Sequence, residues 1–100
     1  MKEYLKGKTE FDLSNFYLPL TKLFIPSTIK IVSNKSKMPD SNYSVETVYI
    51  EDGVEELINS FKYFSSLKYI TIPASIKKIK GNIFYGCENL EKINFNGRRD

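Results

Sequence analysis

The sequence predicts a short α/β solenoid, in which parallel strands alternate with short helices or turns through about three and a half repeats. Three observations carry that expectation. Apolar residues fall at matching offsets in three segments, LTKLFIPSTIKIV, VETVYIEDGVEEL and LKYITIPASIKKI. The segments open at Leu20, Val45 and Leu67, and a shortened fourth opens at Leu90, so the spacings are 25, 22 and 23 residues. Each opens with an apolar–polar alternation of period two, the pattern of a strand with one buried face.

The elements follow in order. Residues 1–19 carry Phe11, Leu13, Phe16 and Leu18 and are expected to cap the first repeat, because a solenoid repeat buries its face only against neighbours. The repeats are expected at 20–44, 45–66 and 67–89, with 90–100 a truncated last one, all in a single domain. Inward positions are Leu20, Leu23, Ile25, Ile29 and Val32, then Val45, Val48, Ile50, Val54 and Leu57, then Leu67, Ile70, Ile72, Ile76 and Ile79. Pro26 and Pro73 follow the strands, where a missing N–H ends ladder pairing. Glu51-Asp52-Gly53 reads as a tight turn, and SNKSKMPDSNYS (33–44) as an exposed loop. Val54, Leu57, Ile58, Phe61 and Phe64 recur at helical spacing, which predicts a short amphipathic helix over 54–64. A shorter helix is expected at about 82–87, with Asn82 as its N-cap. SIKKIK (75–80) reads as an irregular second strand or turn, with Ile76 and Ile79 inward.

Repeats of about 20–29 residues with an L-x-x-L-x-L core are the mark of leucine-rich repeats. The units Ile72-Pro73-Ala74-Ser75-Ile76 and Ile25-Pro26-Ser27-Thr28-Ile29, together with Phe84-Tyr85-Gly86-Cys87-Glu88-Asn89-Leu90, narrow the match. Over about residues 20–95 the chain resembles the BspA-type leucine-rich repeat family, whose I-P-x-S-[VI] and F-x-x-C-x-x-L units these are. The preceding copy, Phe61 to Leu67, has Phe64 where the family prefers Cys. The resemblance implies a leucine-rich-repeat solenoid. Proteins similar to BspA are commonly surface or adhesion proteins.

Composition bounds the chemistry. The chain has 41% hydrophobic residues, enough for one modest core, and no His, which removes the usual general base and the commonest metal ligand. Its net charge of +3 falls short of the basic stripe that nucleic-acid binding leaves, so nucleic acid is not an expected partner. MKEYLKGKTEFDL has no apolar run after its lysines, and no stretch is long and apolar enough to span a bilayer. A cytoplasmic protein without membrane partner, catalytic residue, metal or cofactor is expected.

The candidate sites are few. Cys87, the one cysteine, aligns with the packing position Phe64 and reads as a small buried hydrophobe. Glu51, Asp52, Glu55 and Glu56 lack the spacing of a calcium loop and read as a solvated turn leading into a helix N-terminus. Lys30 and Lys77 take equivalent repeat positions and read, with Lys35, Lys37, Lys78 and Lys80, as a solvated face. Strand alternation sets Phe24, Tyr49, Thr71 and Asn94 in one outward column and Lys22, Thr47, Tyr69 and Lys92 in the next. Phe24, Tyr49 and Tyr69, rimmed by Lys22, Lys68 and Lys92, resemble a protein-binding patch, with Thr71 beside them. The expected function is therefore a non-catalytic protein-binding module that works through its strand face. A small intracellular inhibitor, such as a mobile-element protein blocking a host defence enzyme, would use such a face. The alternative is a structural unit that stacks end to end through its C-terminal strand as a homo-oligomer.

Overall fold

The structure is a computed structural model that describes residues 7, 9–15, 20–35 and 44–96. Eight short strands wind as successive coils: β1 (Glu10–Asp12), β2 (Lys22–Ile25), β3 (Ile31–Ser33), β4 (Thr47–Ile50), β5 (Glu56–Ile58), β6 (Tyr69–Pro73), β7 (Lys78–Lys80) and β8 (Lys92–Asn96). They form two four-stranded parallel sheets, sheet A in the order β1-β3-β5-β7 and sheet B in the order β2-β4-β6-β8. The chain is a leucine-rich-repeat solenoid of roughly three turns, built almost wholly from strands and turns.

Strand alternation explains the core. In sheet B the inward residues Leu23, Val48 and Ile70 pair in register, as do Ile25 and Ile50, and all are buried. Phe11, Val32 and Leu57 do the same in sheet A. The third side of each coil is a run of turns that contributes Phe61, Phe64 and Ile83. There Phe61 meets Phe64 edge-on at 5.5 Å and stacks on Phe84 at 6.4 Å, arrangements that suit the ring quadrupoles. Pro73 differs from expectation: it is the last residue of β6 instead of following it, and it stays in register with Asn96 of β8, while pairing with β4 has already ended at Thr71. A proline lacks only the N–H and can still hold a place at a strand end.

Leu20, expected inward, is 40% exposed, although its counterparts Val45 and Leu67 are buried. Ile79 is 52% exposed, although Val32 and Leu57 in its column are buried. Three stretches of the chain also differ from expectation. The helix over 54–64 is absent: β5 and a series of turns stand there. Its inward residues do recur every three or four positions, but so do those of a coil that turns a corner every few residues. The backbone settles the matter, since the N–H groups of Glu55 and Glu56 both go to the Lys30 carbonyl, and Asn59 and Tyr63 adopt φ of 49° and 66°. Left-handed residues cannot continue an α-helix. The helix at 82–87 is likewise a chain of turns, with Tyr85 N–H on Asn82 O and Cys87 N–H on Phe84 O. Asn82 does not cap it; its own N–H donates to Asn59 Oδ1 at 3.1 Å. Without a helix, the acidic residues 55 and 56 have no macrodipole to oppose, and Glu56 instead lies beside Lys78 in the sheet.

The third change concerns 33–44. Ser33 and Asn34 are buried, not exposed, while 36–43 lie outside the described residues. Burial is tolerated because the polar atoms are paired. Ser33 Oγ donates to Glu10 Oε2 at 2.7 Å, and Asn34 Nδ2 donates to Ser60 O at 3.4 Å. Ser60, also buried, donates to Val32 O and accepts the Ile58 N–H. In the capping stretch Phe11 and Leu13 are core residues and β1 joins sheet A; Phe16 and Leu18 lie outside the described residues.

Gly86 shows why one turn needs glycine. Its φ is 82°, and an added Cβ would come within 2.9 Å of Tyr63 Cδ1 and 3.2 Å of Tyr63 Cα in the coil below. Gly53 is equally confined, packed on Ser27 with its N–H donated to Ser75 Oγ.

Asp12 ties the first coil down. Partial burial acts to raise its pKa, but the Ser14 hydroxyl and N–H and the Lys35 N–H all donate to Oδ1 and hold it below the usual value of 3.8. A depressed carboxylate stabilises the fold above its unfolded pKa and loses that contribution as pH falls through the folded one. Asp12→Asn should therefore cost up to about 1 kcal/mol at pH 7 and nothing near pH 2. Urea denaturation of the two proteins at both pH values checks this.

Candidate functional site: the outer face of sheet B

The register of sheet B sets the outward residues in two columns. Phe24 lies opposite Tyr49, Tyr49 opposite Thr71 and Thr71 opposite Asn94; beside them Lys22, Thr47, Tyr69 and Lys92 are aligned. Adjacent strands stand only about 4.8 Å apart, so side chains in a column touch. The rings of Phe24 and Tyr49 stack with centroids 5.6 Å apart and planes within 5°. They remain 55% and 39% exposed, so the pair packs on itself and still offers a flat apolar surface to solvent. Tyr69, 46% exposed, stands in the neighbouring column and donates its hydroxyl to Glu91 Oε1 at 3.2 Å. The structure thus joins Phe24 to Tyr49 directly and ties Tyr69 to Glu91. Glu91 was absent from the sequence-derived patch; its signal was its place just before Lys92, at the entry to β8. Lys22 and Lys92 are exposed at the two ends of their column, and Lys68 is partly buried.

The other candidates resolve into packing. Cys87 is partly buried, rests against the core, and donates its thiol to Phe61 O at 3.0 Å. Burial pushes the thiol up to about 11, with a main-chain hydrogen bond at Phe64 offsetting a little. Glu51 of the acidic corner accepts the Ser27 N–H at 2.6 Å, and so substitutes a carboxylate link for the Pro-x-Ser unit of the other coils. Among the described residues no group of three His, Cys, Asp or Glu could hold a metal ion. Lys30 and Lys77 do occupy one column, but Glu55 stands between them, and Lys30 Nζ donates to the carbonyls of Ser27 and Gly53. No helix among the described residues is long and apolar enough to cross a membrane.

Comparison with known proteins agrees with this geometry. The sequence model of the BspA type leucine rich repeat region (6 copies) matches residues 40–98. The chain therefore belongs to the BspA-type leucine-rich repeat family. Repeats of this family are generally non-catalytic and suggest a protein-interaction module. No curated protein and no solved structure matches the chain significantly.

A thiol with its pKa near 11 instead of 9.0 carries about a hundredfold less thiolate at pH 8. Cys87 should accordingly react slowly with a thiol-specific reagent in the native protein and fast in denaturant, and Cys87→Val should fold where Cys87→Asp does not. Rapid labelling of the native protein would contradict the packing role.

Proposed function

We propose that this protein is a non-catalytic interaction module that binds a protein partner through the outer face of sheet B. The observation that carries the reading is the stacked Phe24–Tyr49 pair, whose rings stay 55% and 39% exposed on the outer face of sheet B. Stacking holds both rings in place before a partner arrives, so little side-chain entropy remains to be lost on binding. Tyr69 and Thr71 extend the surface, and Lys22 and Lys92 supply charge at its ends, an apolar centre within a polar rim. Aromatic anchors of this kind dominate interface energies. In its narrower form the module is a cytoplasmic blocking protein, covering a partner's working surface with the same residues.

The test separates recognition from packing. Tyr49→Ala removes one stacked ring and should cost about 1 kcal/mol of stability. The double variant Tyr49→Ala/Tyr69→Ala should nevertheless stay folded and lose at least about tenfold in affinity for the protein that the native chain retains from its host. Undiminished partner retention by a folded double variant would remove this face from consideration.

A further inference from the structure

Where β3 and β5 give way to the turn side of the solenoid, the surface folds into a hollow of about 350 Å³. Its most deeply buried lining residues are polar: Ser33 and Asn34 are 2% and 4% exposed, with the partly buried Ile58 beside them. Three successive coils supply the rest of the lining, Glu10 from β1, Lys35 after β3, and Asn59 and Lys62 after β5. The hollow shares no residue with the aromatic face of sheet B.

The groups lining it are unequally satisfied. Glu10 is engaged: its Oε2 accepts the Ser33 hydroxyl at 2.7 Å and lies 3.8 Å from Lys35 Nζ. Lys62 forms no ion pair among the described residues, and its ammonium sits 5.8 Å from the centroid of the Tyr63 ring. Asn59 Oδ1 accepts the Asn82 N–H at 3.1 Å, which fixes the amide and leaves Nδ2 without a partner among the described residues. Asn59 keeps this side chain at φ 49°, in left-handed backbone where the next coil places Gly81. The hollow therefore carries more donors than acceptors. The ammonium groups of Lys35 and Lys62 and the Asn59 amide stand against the one carboxylate of Glu10. Charge points the same way. Two lysines meet one carboxylate, and the charged residues in register with the lining, Asp12 opposite Ser33 and Lys80 opposite Ile58, cancel each other.

We propose that this hollow binds a small oxyanion, a phosphate or carboxylate group, held by the Lys62 ammonium and the Asn59 amide, with Lys35 supplying the second positive charge. An oxyanion brings acceptors only, and acceptors are what the spare donors lack. The lysines recognise it as point charges, and the fixed Asn59 amide adds direction. Glu10 does not stand against it with a free charge, because Lys35 and Ser33 already engage its carboxylate. The volume is that of a small-molecule site, so an organic acid or phosphate ester fits as well as the free ion, with Ile58 as the apolar wall for its carbon atoms.

The isotope-labelled full chain is titrated with sodium phosphate, and separately with sodium acetate, at an ionic strength held constant with sodium chloride. The expected result is a saturable shift of the Asn59 side-chain amide and of the main-chain amides of 33–35 and 58–62. The oxyanion that saturates at the lower concentration identifies the group. Lys62→Gln should weaken binding at least about tenfold. Asn59→Gly, which suits left-handed backbone as Gly81 does, should keep the fold and weaken binding several-fold. Lys92→Gln, on sheet B, should leave it unchanged. Shifts that stay linear, or that spread over the exposed lysines as they do with chloride alone, show screening only and overturn the proposal. So does binding left undiminished by either substitution in the hollow, or reduced as much by Lys92→Gln.

Discussion

At the start of every strand from β3 to β8, one carbonyl of the preceding coil in that sheet receives two N–H groups, from the strand's first residue and the residue before it, at 2.7–3.2 Å. The rest of the structure depends on this repeated contact. It locks each coil onto the one below in fixed register, and because side chains alternate along a strand, the register decides every facing at once. Shifting β4 by a single residue would turn Val48 and Ile50 outward and Tyr49 inward, away from Phe24. The hydrophobic effect supplies the driving force, and the doubled hydrogen bonds supply the alignment.

Much of the architecture was legible because that alignment leaves a trace in the sequence. Equal offsets from Leu20, Val45 and Leu67 gave the outward columns residue by residue, from Phe24–Tyr49–Thr71 to Tyr69–Lys92. What escaped was local. Val54, Leu57, Phe61 and Phe64 have the spacing of a helix; Asn59 is a residue type that tolerates left-handed backbone, but nothing in residue type reveals it at Tyr63. The next coil held the clue, since Gly81 and Gly86 stand at the equivalent places with φ of 75° and 82°. Ser33, Asn34 and Ser60 escaped for another reason. A polar residue is read as exposed unless its partners are known, and theirs (Glu10, Ser60 and Val32) come from other coils.

The site was legible to the same extent. Alternation located the exposed aromatics, but not that Phe24 and Tyr49 lie with parallel planes while Tyr69 reaches across to Glu91. Cys87 illustrates the converse. Its alignment with Phe64 predicted packing, and the structure supplies the physical form of it: a thiol donated to the Phe61 carbonyl on the turn side of the solenoid. In this chain Cys87 is thus a small residue that fills a corner and satisfies a carbonyl.

Native-state hydrogen exchange tests the central claim, a stack of in-register coils, most directly. The account predicts slow exchange for the amides of Glu55 and Glu56 and of Lys68 and Tyr69, which lie in the middle coils, and faster exchange for Lys77 and Lys78 and for Glu91 and Lys92 at β7 and β8. Protection running continuously through 54–64, as in a helix, or equal protection of β7 and the middle strands, would contradict it.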